Sequence, residues 1–332
     1  MTRAAILGLL LLTLLLASSM LGQLKVDVTL VNLVATVTDT RGKYVEGLRA
    51  EDFTIREDDA VQTISHFEQT QDVPISVGIL LDSSESMASK IKGATDAVSR
   101  FVRSIHKEDD VFLMTFDQRP ALRQDFTDNR EKLSDALKRV KLGFGTALYD
   151  AVAQGLKKIK DGKHDNRAIL LITDGEDVSS FLSFEQAEAR VQESQVLLYA
   201  LGIKPEGNGS SPSTGPRLPT GPTLPGRIPF PFPGIPRGLV QGPQRGGYPG
   251  RDSVNMTVLN TLAEASGGKA WLVSNSKQIE TALDEIALEL RNQYTFGYYP
   301  PHPIKDGKWH NVDVETKSTR YTVRTRKSYF GG

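Results

Sequence analysis

"ISVGILLDSSESM", Ile75–Met87, is the stretch on which the fold turns. Its first seven residues form an almost unbroken apolar run, which reads as a strand buried on both faces, the kind found in a parallel sheet. An acid and three serines follow at once. Asp82, Ser84 and Ser86 alternate, so an extended segment turns all three side-chain oxygens toward one point. The same residue types also cap the orphan amides of a helix start, so the cluster alone leaves both roles open. A site needs further donors, brought from other loops at the carboxyl ends of neighbouring strands.

Working outward, residues 87–105 place Ile91, Ala94, Val98, Phe101, Val102 and Ile105 on one helical face able to cover such a sheet. Strands are expected at "DVFLMTF", "AILLIT", "QVLLYALGI" and "KAWLV", alternating with helices at "REKLSDALKRV", "GTALYDAVAQGLKKIK", "SFEQAEARVQES", "VLNTLAEASGG" and "SKQIETALDEIALELRNQ". "ALRQDFT" reads as a short edge strand. This alternation is the signature of an α/β fold, a doubly wound, mostly parallel, Rossmann-like sheet with helices on both faces.

The flanks have a different texture. "KVDVTLVNLVATVTD", "DFTIREDD" and "VQTISHFEQ" before the α/β region, and "YTFGYYPP" with "KWHNVDVETKSTRYTVRTRKSYF" after it, read as β-strands. A β-rich head and tail suggest one flanking β-sandwich built from N- and C-terminal strands. Residues 1–22 carry Arg3, an apolar run from Ala4 to Leu16 and then small residues, the plan of a signal peptide. Cleavage after Ser19 and retention as an anchor both stay open; nothing else in the chain is apolar for long enough to span a bilayer. The expected organisation is therefore a signal at 1–22, a β-rich segment at 23–72, the α/β domain at 73–293 and a β segment at 294–332. Within the α/β domain, half of the residues at 205–250 are Pro or Gly, which reads as an extended surface insertion. It is either a tolerated loop or a polyproline ligand for a partner.

Lys plus Arg and Asp plus Glu both number 40, so no charge excess argues for nucleic acid. There is no Cys, which excludes disulfides and thiolate metal sites and leaves an exported chain to be stabilised by a core or a metal.

Two further loops supply donors. In "LGFGTALYD", Thr146 stands behind Gly143 and Gly145 at a helix start, and Asp174 follows the buried strand "AILLIT". Together with Asp82, Ser84 and Ser86 they make five oxygen donors without nitrogen or sulfur, a set suited to a hard cation. Mg²⁺ fits this compact, hydroxyl-rich set better than Ca²⁺. Glu176 and Asp177, just beyond, add negative charge that either tunes the ion or is solvated, the second being the expectation.

"DSSES", Gly145–Thr146 and "TDG" at Thr173–Gly175 resemble the metal-ion-dependent adhesion site of von Willebrand factor type A domains, over about Ile75 to Gln293. The flanks resemble the type A-related proteins abundant in acidobacteria. The resemblance implies that Ser84 and Ser86 bind the ion directly, that Asp82 acts through water, and that Thr146 and Asp174 exchange direct and water-mediated roles. It implies Mg²⁺, with Mn²⁺ or Ca²⁺ as alternatives, and a protein partner that offers a carboxylate to the ion. The expected function is an exported adhesion or protein-binding module, secreted or in the periplasm or cell envelope, and not an enzyme. A scaffold of an envelope assembly is the alternative, with a metal-dependent hydrolase behind it. A hydrolase needs a base beside the ion, and His66, His106, His164, His302 and His310 show no metalloprotease spacing.

Overall fold

The computed structural model describes residues 30–70, 73–175, 177–204 and 254–332. The expected signal segment, the start of the first expected strand, Glu176 and the 205–250 insertion lie outside the described residues.

The N-terminal part forms β1 (Val31–Asp39), β2 (Phe53–Glu57), β3 (Ala60–Gln62) and β4 (Ile64–Thr70). The α/β region then runs β5 (Ser76–Asp82), α1 (Ile91–Ser104), β6 (Asp110–Phe116), β7 (Pro120–Thr127), α2 (Arg130–Lys138), α3 (Leu148–Lys158), β8 (Arg167–Thr173), α4 (Phe184–Glu193) and β9 (Leu197–Ile203). It continues with α5 (Met256–Ser266), β10 (Ala270–Val273) and α6 (Ser276–Glu289). The tail adds β11 (Gln293–Tyr298), β12 (Trp309–Thr316), β13 (Tyr321–Arg324) and β14 (Ser328–Phe330).

The central sheet has the order β10-β9-β8-β5-β6-β7. Its pairs are parallel except β6–β7, so "ALRQDFT" is the antiparallel edge the sequence suggests. Every residue of β5 and β6 is buried, which explains why these strands read as apolar runs instead of alternating. One face packs against α1, α2 and α6, the other against α3, α4 and α5. The chain leaves β5 toward β6 on one side and returns to β8 on the other. The ends of β5 and β8 therefore flank the point where the winding reverses, where α/β sheets open a crevice.

The first helix starts at Ile91, not at Met87 as the apolar spacing suggests. Glu85–Ser89 form a 3-10 turn that buries Met87 completely beneath the loop and leaves Ser86 at the surface.

The two remaining sheets, β13-β1-β11-β4 and β14-β12-β2-β3, are antiparallel and interleave strands from both ends of the chain. Val31, Leu33, Ala35 and Val37 alternate inward from β1 and share one core with Ile55 of β2, Phe296 of β11 and Val314 of β12. Phe53 sits 4.8 Å from Phe296 and 5.3 Å from Tyr294, ring centre to ring centre, across that core. This is the expected sandwich.

Layer and sandwich are joined at Glu289, the last residue of α6, which is buried. It accepts hydrogen bonds from Tyr199 of β9 (2.7 Å), Thr36 of β1 (3.3 Å) and Tyr44 (3.3 Å), and it pairs with Arg324 of β13. Burial, reinforced by the Glu289 charge, raises the pKa of Tyr44 and Tyr199 well above that of a free phenol.

Candidate metal centre

The three donor loops meet at the carboxyl edge of the central sheet. The loop after β5 joins the loop before α3 through the Gly143 amide, which donates to the Ser83 carbonyl at 2.8 Å. The loop before α3 joins the loop after β8 through the Val178 and Ser179 amides, which donate to the Thr146 carbonyl at 2.9 and 3.1 Å. The first and third loops touch directly: Ser86 Oγ donates to Asp174 Oδ1 at 2.8 Å, and Thr173 Oγ1 donates to Asp82 Oδ2 at 2.6 Å. Ser84 Oγ lies 2.9 Å from Ser86 Oγ.

All five expected residues are thus in the three joined loops. Asp82 is fully buried at the tip of β5 and accepts from the Ser84 amide at 2.8 Å, which folds the serine loop back over it. Thr146 and Asp174 are buried as well, and the Thr146 hydroxyl faces Gly175. Two glycines make the close approach possible. Gly145 has φ +75°, in the left-handed region, and a Cβ on Gly143 would stand 2.0 Å from Asp117 Oδ2.

Burial pushes the Asp82 carboxyl up to about 6, against the hydrogen bonds from Thr173 and Ser84 that favour its ionised form. A carboxylate penalised in this way, beside a second buried carboxylate, is stabilised by any cation that reaches it. One is built in: Lys90 Nζ donates to Asp174 Oδ2 at 2.5 Å, with the lysine side chain 9 % and the aspartate side chain 1 % exposed. Lys90 was not singled out by sequence reasoning, and neither was Thr173 as a group that holds Asp82. The available signal for Lys90 was its position four residues after Ser86, at the mouth of α1.

Asp177 departs from the expectation of a solvated charge. Its Oδ1 accepts from Ser180 Oγ at 2.5 Å and from the Tyr149 amide at 3.3 Å, so it caps the first turn of α3 and ties the third loop to the second. A helix N-terminus is a better partner than water for a carboxylate placed beside it.

The donor chemistry fits a hard divalent ion: two carboxylates and three hydroxyls, with hydroxyl and carboxylate oxygens already in contact across loops. The second and third loops also carry exposed apolar side chains. Phe144 is 76 % and Phe181 84 % exposed, and Leu142 and Val178 are exposed beside them in sequence.

The family model of the von Willebrand factor type A domain matches residues 77–176, which span β5, the serine loop, Thr146 and Asp174. The chain carries a von Willebrand factor type A domain. Its A-domain architecture is the mixed, mostly parallel sheet between two helical layers, extended here by the two antiparallel sheets. No curated protein matches the chain at a significant level. Among solved structures, the A-domain protein is similar to an aerotolerance-related membrane protein from Bacteroides fragilis, with 21% identity, 65% of this chain and 98% of that one covered, and a TM-score of 0.45. It is similar to a von Willebrand factor type A protein from Catenulispora acidiphila, with 11% identity, 85% and 75% covered, and a TM-score of 0.48. Proximal thread matrix protein 1 from the mussel byssus, in a form with a zinc-occupied MIDAS motif, shows 10% identity and a TM-score of 0.48, with 70% of this chain and 49% of that one covered.

Proposed function

We propose that the protein is an exported binding module that engages a carboxylate of a protein partner through a divalent cation at the edge of its central sheet. The observation that carries the reading is the convergence of Asp82, Ser84, Ser86 and Asp174 from two loops, with Thr146 on the third. Asp82, Ser84, Ser86, Thr146 and Asp174 would hold the ion, Mg²⁺ by the hardness of the donors, with Mn²⁺ or Ca²⁺ as substitutes. The ion supplies an electron-poor centre for the partner's oxygen. Phe144, exposed in the loop that carries Thr146, offers apolar contact, the usual setting in which a charged contact gains strength from exclusion of water. Export is supported by the signal-like residues 1–22. No helix among the described residues is long and apolar enough to cross a membrane.

The protein is proposed not to be an enzyme. His106 and His164 stand at the amino ends of β6 and β8, and His66, His302 and His310 belong to the sandwich, so none is beside the donor loops. Lys90 favours one competing reading: a lysine that already neutralises Asp174 lets the loops act as a metal-free joint in an envelope scaffold.

The test is retention of envelope proteins on the immobilised full chain and on Ser86→Ala, each in Mg²⁺ and in chelator. Ser86 is exposed, so its loss spares the fold, while Mg²⁺ affinity is expected to fall about tenfold or more with one charge-assisted contact. Proteins retained only by the wild type in Mg²⁺ support ion-bridged binding. The same proteins in all four conditions favour the scaffold.

A further inference from the structure

A second cluster of chemistry-bearing side chains lies in the sandwich, apart from the donor loops. Glu57 ends β2 and is 2 % exposed. Asp58 follows it in the left-handed region, φ 46°, and turns the β2–β3 hairpin. His310 comes from β12, the strand paired with β2, and His302 and Asp306 from the loop before it. Glu57 Oε1 stands 2.7 Å from His302 Nε2 and 3.6 Å from His310 Nδ1, and Asp58 Oδ2 stands 2.8 Å from His310 Nδ1. Glu57, His302 and His310 each aim one ligand atom so that all three lie within 4.8 Å of one another. Glu57 Oε2 is buried without a hydrogen-bond partner.

We propose that Glu57, His302 and His310 bind a zinc-class divalent transition ion that fastens the N-terminal hairpin to the C-terminal strands, with Asp58 beside His310. Two imidazoles and a carboxylate are the donor types such ions select, whereas the all-oxygen loops suit a hard ion. The outer nitrogen of each ring already has the partner that orients a metal-bound histidine: His302 Nδ1 meets the Pro303 carbonyl at 3.0 Å, and His310 Nε2 meets both Asp306 oxygens at 3.2 Å. The Tyr329 hydroxyl donates to Glu57 Oε1 at 2.6 Å and holds that carboxylate in place.

The acids gathered here make the same case. Asp58 and Asp306 lie against His310 as Glu57 does against His302, and the two rings are stacked 4.0 Å apart and 13° from parallel. A divalent ion between the donors would offset these carboxyl groups. Because a bound ion lies near the plane of each ring, the rings leave their stack on binding. His302, with 25 % of its side chain exposed against 6 % for His310, is the ring with room to turn.

The clamp joins residues about 250 positions apart in a chain with no disulfide, the separation at which closing a loop removes most chain entropy. The test uses the full chain with Co²⁺ and Zn²⁺ as probes, beside His302→Gln and Ser86→Ala. His302 is chosen because its partial exposure spares the fold. With Mg²⁺ in excess to occupy the donor loops, expected are one Co²⁺ with intense visible bands of low-symmetry nitrogen and oxygen coordination, and a thermal midpoint raised by roughly 5–10 °C by Zn²⁺ at hundredfold excess over Kd. Both persist in Ser86→Ala, and His302→Gln loses the bands and at least tenfold in affinity. Absence of bands and shift in the wild type overturns the proposal, as does their survival in His302→Gln or their loss in Ser86→Ala.

Discussion

The carboxyl edge of the central sheet and the joint at Glu289 both keep carboxylates out of water, and they balance the charge differently. At the joint one carboxylate receives a guanidinium and three hydroxyls, from β1, β9, β13 and the loop carrying Tyr44, so its needs are met inside the protein. At the edge, of two buried carboxylates, Asp174 receives an ammonium, Lys90, while Asp82 is met, among the described residues, by the Thr173 hydroxyl and the Ser84 amide. Charge closed on itself makes a structural joint. A buried carboxylate without a cationic partner is where the proposed function puts an outside cation.

The sharpest way to break this comparison is Glu289→Ala. Removing one member of a buried pair strands Arg324, and unfolding in urea should show a loss of about 3–5 kcal/mol, with Mg²⁺ affinity unchanged. A neutral result would mean the joint is not what holds the layer to the sandwich.

Lys90→Met comes next, and its effect should depend on the ion. In chelator Asp174 is left uncompensated, and stability should fall by about 2–3 kcal/mol; Mg²⁺ should restore most of it, because the ion takes over the charge and no longer competes with the lysine. Melting curves in chelator and in Mg²⁺ read this directly. A loss that Mg²⁺ leaves untouched would place Lys90 on the structural side of the comparison.

The smallest effect is alkaline. Tyr44 and Tyr199 have folded pKa values raised by burial and by Glu289, so the folded state keeps their protons while the unfolded chain releases them near pH 10. The unfolded state then binds fewer protons, and stability falls as pH rises past about 10. Tyrosinate absorbance from these two residues should appear together with unfolding and not ahead of it.

Much of this could be read in advance. The runs at Val77–Leu81 and Ala168–Ile172 announce strands buried on both faces, and acids and hydroxyls at their ends announce the loops at the winding reversal. The alternation in β1 and β12 announces half-buried strands. Lys90, Thr173 and Asp177 were not legible, because a lone lysine at a helix mouth, a threonine ending a strand and an acid in a turn are each ordinary in sequence. Their roles come from partners 84, 91 and 28 residues away.

The sequence by itself determined the α/β class, the sandwich texture of the flanks and the five oxygen donors, since periodicity and residue type are local properties written every few positions. Only the tertiary structure decided that Lys90 turns onto Asp174, that Glu289 meets Arg324, and that Glu57 gathers two histidines. These are pairings across long stretches of chain, and their energies depend on burial and distance, which exist only once the layers have packed.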